Sequence, residues 1–131
     1  MTFRFDPHRR LIPVEVKIHG PRGEERVVLA LDTGASRTLI SPAPLAYIGC
    51  EVTPDAERIS VTTGSQREVM PTLTLPRLVA LGYAVPNLTV LAHQLPPRSA
   101  VQGLLGLDFF AGCRLELDFR NGLIHLEPPH A

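Results

Sequence analysis

Asp32-Thr33-Gly34-Ala35-Ser36 follows directly on the apolar run Val27-Val28-Leu29-Ala30-Leu31. An apolar strand that ends on a carboxylate, a hydroxyl and a glycine brings an acid–base group to the edge of a core. Hydrolysis of an amide without metal or covalent intermediate needs a water deprotonated as it attacks and a carbonyl protonated as it opens. Two carboxylates sharing one proton do both, because like charges that close cannot both ionise. Asp32 is a carboxylate of the kind such a pair would need. At average amino-acid usage, Asp-[Ser/Thr]-Gly arises by chance in roughly one chain of this length in ten to twenty. The surroundings therefore decide whether the tripeptide means anything.

Those surroundings read as almost entirely β. Ile12, Val14, Val16 and Ile18 alternate with polar residues across Leu11–His19, the period of a half-buried strand. Gly20-Pro21-Arg22-Gly23 reads as a turn. Arg26–Leu31, apolar nearly throughout, reads as a strand covered on both faces. Thr38-Leu39-Ile40 is a short strand, and Ser41–Tyr47 a short helix with Ser41 as its N-cap. Arg58–Thr63 and Arg67–Met70 flank a hairpin tip at Gly64-Ser65-Gln66. Thr72–Leu75, Arg77–Leu81 and Asn87–Ala92 add separate strands, punctuated by Pro71, Pro76, Gly82 and Pro86. Cys113–Phe119 turns at Asn121-Gly122 into Leu123–Leu126. Eight to ten short strands with one or two short helices predict an all-β, closed barrel-like or sandwiched fold. Leu29–Gly34 is also echoed by Gly103–Asp108, another apolar strand ending at a glycine turn, which suits two related halves.

The 131 residues leave room for one domain spanning 1–131. Thirteen basic and thirteen acidic residues cancel, so no basic field exists to attract nucleic acid or anionic lipid. Arg outnumbers Lys twelve to one, a composition bias rather than a functional signal. No stretch approaches the roughly 20 apolar residues of a membrane span, and Met1–Asp6 has no apolar signal-peptide core. A cytoplasmic protein is expected. Cys50 and Cys113 lack metal-ligand spacing and read as two reduced thiols, and the five histidines are scattered, so no metal or other cofactor is expected.

Three features recur in order: Asp32–Ser36, a Gly-tipped hairpin at Ser60–Glu68, and Leu104-Leu105-Gly106 before a last hairpin. That order resembles the retropepsin-like aspartic proteases, single-domain homodimers. The tail from Leu104 to Gly122 looks like their cellular and bacterial members. The resemblance covers about Leu11 to Leu126 and implies a closed acid-protease barrel. It implies that Asp32 is catalytic, that Thr33 hydrogen-bonds across to the partner loop, and that Gly34 lets backbone pass close to substrate. Gly64 would be the flap tip, with Thr63 and Ser65 offering polar contacts. Ala35, Ser36, Val61, Leu104 and Leu105 would line the substrate site, favouring apolar residues beside the cut.

Only one Asp-[Ser/Thr]-Gly is present, and Asp108, followed by Phe109, reads as the cap of a short helix. The second carboxylate must then come from a second copy, so the mechanism requires a homodimer. Interface strands are expected in Cys113–Leu126 and around Phe3 and Phe5. Retroviral relatives carry an acid in place of Ser36 and an Arg in place of Leu107; both partners of that ion pair are replaced here, leaving no unpaired buried charge. Ala35 lacks the hydroxyl that pepsin-like sites aim at the carboxylate, which suggests a weakly acidic working range. The leading expectation is an aspartic endopeptidase acting on extended peptides. The alternatives are a dimeric peptide-binding module with little turnover, and a small barrel in which the tripeptide is an accidental turn.

Overall fold

The computed structural model describes residues 1–130, and its strands follow the alternation of apolar residues. β1 (Thr2–Arg4) precedes β2 (Pro13–Gly20) and β3 (Gly23–Leu31), joined by the Pro21-Arg22 turn. β4 (Leu39–Ile40) leads into α1 (Pro42–Tyr47), followed by β5 (Arg58–Thr63), β6 (Gln66–Ala80) and β7 (Tyr83–Ala92). β8 (Gly103–Leu105), β9 (Arg114–Asp118) and β10 (Leu123–Glu127) complete the chain. The order β2-β3-β8-β4-β7-β6 closes on itself, because β6 also pairs with β2. Six strands thus form a barrel. β5 pairs with the first part of β6 and stands off it as a hairpin, and β1-β10-β9 form a separate small sheet.

Inside the barrel lie Val16, Ile18, Leu29, Ile40, Leu75, Leu78, Val90 and Leu105, all with no exposed surface. Each such aliphatic side chain contributes about 1.5–3 kcal/mol relative to exposure. Phe109 plugs one end, packed edge-on against Tyr83 and Phe110 at centroid distances of 5.4 and 5.0 Å.

Several local expectations need correction. β3 is covered on both faces only at its Asp32 end: Val27 and Leu29 point inward, and on the outer face Ala30 is buried while Val28 is 36% exposed. The stretch 66–80 is one strand of 15 residues rather than three. Pro71 stays in register with Arg58, and at Pro76 the ladder skips one step and resumes at Arg77. Asn87, opposite that gap, adopts φ +51° and absorbs the distortion. The helix forms over Pro42–Tyr47, but the Ser41 hydroxyl does not cap it; it donates to the Gln102 carbonyl at 2.9 Å. Asp108 caps no helix either, because residues 107–112 form successive turns.

The last hairpin closes through four residues, 119–122, rather than a two-residue Asn-Gly turn. Asp118 organises it. Its carboxylate accepts the Arg120 and Asn121 amides, each at 3.0 Å, and the Asn121 side-chain amide at 2.8 Å. The Asn121 side chain is the largest cause holding the Asp118 carboxyl below its ordinary value. A lowered carboxyl contributes stability above the ordinary value of 3.8 and loses it as pH falls below that value. Asp118→Ala is therefore expected to lower Tm by a few degrees at neutral pH, with the gap to the native protein closing in acid. A gap independent of pH in thermal melts would refute this role for the charge.

Candidate active site

Asp32 is the first residue beyond β3, and its position is set by neighbours on β8. β3 and β8 run parallel, with Ala30 beside Leu104 and Leu31 beside Leu105, and the Asp32 amide continues that ladder by donating to the Leu105 carbonyl at 3.0 Å. The two segments that echo each other in sequence thus lie side by side. The chain then loops around β8 to enter β4 on its other side. Within this loop the Gly34 amide donates to Asp32 Oδ1 at 2.9 Å, and the Ala35 amide to the Asp32 carbonyl at 3.2 Å. Those bonds turn the carboxylate along the loop rather than into the barrel. Asp32 is half-buried, while Thr33, Gly34 and Ser36 are exposed.

The β5–β6 hairpin overhangs this loop. Its tip is a two-residue turn, Gly64-Ser65, between the paired Thr63 and Gln66. Gly64 sits at φ +60° in the first central position, as a type II′ turn requires. Beneath the hairpin is a cleft of about 520 Å³. Leu39, Met70, Leu91 and Leu104 give it an apolar floor, Ile59, Val61 and Thr63 come from the hairpin, and Asp32, Gly34, Ala35 and Ser36 form one rim. A second cleft of about 440 Å³, with Leu31, Leu95, Val101 and Arg10 in its walls, meets the first at Asp32 and Leu104. Among the described residues, Asp32 is the only acidic one lining either. A cavity of about 530 Å³ between Phe3, Ile124 and Val16 lies elsewhere and does not include Asp32.

The structure therefore brings together seven of the sequence-predicted residues: Asp32, Gly34, Ala35, Ser36, Val61, Thr63 and Leu104. Thr33, Gly64 and Ser65 are exposed and do not line the cleft. Leu105 is wholly buried in the barrel core, because adjacent residues on β8 face opposite ways and Leu104 takes the cleft side. Ile59, Met70 and Leu91 were not expected. Ile59 shares the alternation of Val61, and Met70 follows from the hairpin register that pairs it with Ile59. Leu91 arrives by parallel pairing with Leu39, for which no sequence signal exists. Among the described residues no three His, Cys, Asp or Glu side chains converge to hold a metal. Cys50 and Cys113 are free, and burial pushes both thiols up, away from the nucleophilic thiolate. No helix is long and apolar enough to cross a membrane.

A family profile described as aspartyl protease matches residues 14–109, from β2 through Phe109, and so spans both Asp32 and the Leu104-Leu105-Gly106 segment. The chain belongs to this aspartyl protease family. A retropepsin-like aspartic protease from Rickettsia conorii has a similar structure, with a TM-score of 0.68 at 15% sequence identity, over 96% of this chain and 88% of that one. At that identity the likeness establishes the fold, which is the retropepsin-like barrel. No curated protein matches significantly in sequence. The matched stretch includes Asp32, at the junction of the two clefts, and the apolar floor that runs beneath the hairpin.

Proposed function

We propose that this protein is an aspartic endopeptidase acting as a homodimer, in which Asp32 of each subunit shares one proton and activates a water between them. One observation carries the reading: among the described residues Asp32 is the sole acid at the junction of two clefts, on a loop whose outer face is open. A lone carboxylate performs only half of the acid–base exchange, and a two-fold axis beside the loop supplies the other half. Leu107, 48% exposed next to that loop, is apolar surface such an axis would cover. Thr33 would then reach the partner's loop, and Gly34 would leave space for substrate backbone. Leu104 and Val61 would hold apolar side chains beside the cut, with Gly64 at the tip of a closing flap and Thr63 and Ser65 as its polar contacts. The open edge of β5 suits an extended peptide added as a strand. β1 with Phe3, Phe5 and the β9–β10 hairpin are the proposed interface strands. Two free cysteines support a reducing, cytoplasmic setting.

The test combines sedimentation with cleavage of a peptide library. The expected result is a dimer at tens of micromolar and a specific activity that falls on dilution as subunits separate. A monomer at that concentration, or activity strictly linear in protein on dilution, overturns the shared site. Peptide binding without cleavage would favour the binding-module alternative.

A further inference from the structure

A ring of hydrogen bonds behind the Asp32 loop has no counterpart in the sequence reading. Thr38, at the far end of the loop, is fully buried. Its amide donates to both Asp108 carboxylate oxygens at 3.0 Å, and its hydroxyl donates to Asp108 Oδ1 at 2.7 Å. The same hydroxyl accepts the Gly106 amide at 3.1 Å, so it donates to one segment residue and accepts from another. Asp108 also accepts the Phe109 amide at 2.9 Å, and Phe109 is anchored in the barrel core. Two further bonds tie the same segments: Asp32 N–H to the Leu105 carbonyl, and Leu107 N–H to the Ala35 carbonyl at 2.8 Å. Asp108 lines neither cleft and has no cationic partner within 4 Å among the described residues.

We propose that Asp108 is a positioning residue for Asp32, acting through Thr38 and Gly106 to hold the catalytic loop against the 105–107 segment. The bond pattern explains why a carboxylate stands there. All of its partners are donors, and an ionised carboxylate is acceptor-only, so it meets them without a donor facing a donor. Ordinary stabilisation would need only one end of the loop tied. Here the loop is held at Asp32, Ala35 and Thr38, all by the segment that Asp108 anchors. Loosening the last of these frees the loop to drift, and a drift of about 1 Å at a reacting group costs on the order of 10²-fold in rate. In a dimer of the kind proposed above, each loop would have to meet its symmetry mate, so slack would count twice.

The inference rests on the endopeptidase reading, and its test carries a readout that does not. Asp108→Ala and the nearly isosteric Thr38→Val are expected to lower kcat by about tenfold or more while KM changes by less than about twofold. Asp108→Asn retains the oxygen that serves the Thr38 hydroxyl and the Phe109 amide but turns an NH2 donor toward the Thr38 amide, so its kcat is expected to lie between those of the native protein and Asp108→Ala. Amide hydrogen exchange at Ala35, Gly106 and Leu107 is expected to accelerate at least about tenfold in the Ala and Val variants relative to amides of β2. Variants that lower Tm but keep native kcat, or exchange that quickens no more at the loop than across β2, would reduce Asp108 to an ordinary stabilising contact. Asn that behaves like Ala would overturn the acceptor argument. Should the native protein cleave no peptide, the endopeptidase reading falls and the exchange measurement alone decides the clamp.

Discussion

Asp32→Asn is expected to lower peptide cleavage by about 10⁴-fold or more while the variant keeps its fold and its Tm within a few degrees. The amide has nearly the shape of the carboxylate and can still accept the Gly34 N–H through its oxygen, which is 2.9 Å away in the native loop. It cannot take a proton from water or hold the shared one. General acid–base groups are each worth about 10²–10⁴-fold, and in a homodimer one codon removes both. The variant also separates chemistry from assembly. Two carboxylates facing each other across the axis set like charges together, and the Asn variant removes that opposition. Its dimerisation is therefore expected to be at least as tight as that of the native protein. Steady-state cleavage and sedimentation measure both effects. Undiminished proteolysis by Asp32→Asn would move the active site elsewhere.

A large loss of stability from a small change is also expected at Gly106, where the Asp32 loop passes the 105–107 segment. A Cβ there would lie 2.6 Å from the Arg37 carbonyl carbon, 2.7 Å from the Arg37 oxygen and 2.8 Å from the Ala35 oxygen. All three are backbone atoms of the Asp32 loop, so no side-chain rotation relieves the contact. Gly106→Ala must push the two segments apart, stretching the Gly106–Thr38 and Leu107–Ala35 hydrogen bonds. Overpacking of this kind costs about 1–3 kcal/mol, a fall in Tm on the order of 5–10 °C for a domain of this size. Cleavage is expected to fall with it, since the displaced backbone carries Asp32. Gly64→Ala is the control: no atom lies within 4 Å of a Cβ there, and only the φ of +60° is strained. Its cost is the backbone strain alone, about 1–2 kcal/mol, confined to the exposed hairpin tip. Equal stabilities of Gly106→Ala and the native protein in thermal melts would remove the close-approach argument.

Much of the fold was legible because its signals are local. The alternation in β2, the turn at Pro21-Arg22, the hairpin tip at Gly64-Ser65 and the loop opened by Asp32 each depend on residues a few positions apart. The errors were also local ones, where a rule met a context it does not contain. Pro71 and Pro76 remove single N–H donors, and a strand supported by β5, β7 and β2 runs through that loss. Asn121-Gly122 suits a tight turn, yet Asp118 gathers three donors and closes a wider one.

For the candidate site the division is sharper. By itself the sequence determined that a carboxylate stands at a strand end and that a Gly-tipped hairpin follows it, since these follow from residue types and short spacings. Only the tertiary structure decided that Leu104 lines the cleft while Leu105 fills the core. Alternation puts neighbours on opposite faces but does not say which face is inside. It also decided that Asp108 serves Thr38, 70 residues away. That bond exists because β8 threads between β3 and β4, a pairing between distant segments that no local periodicity encodes.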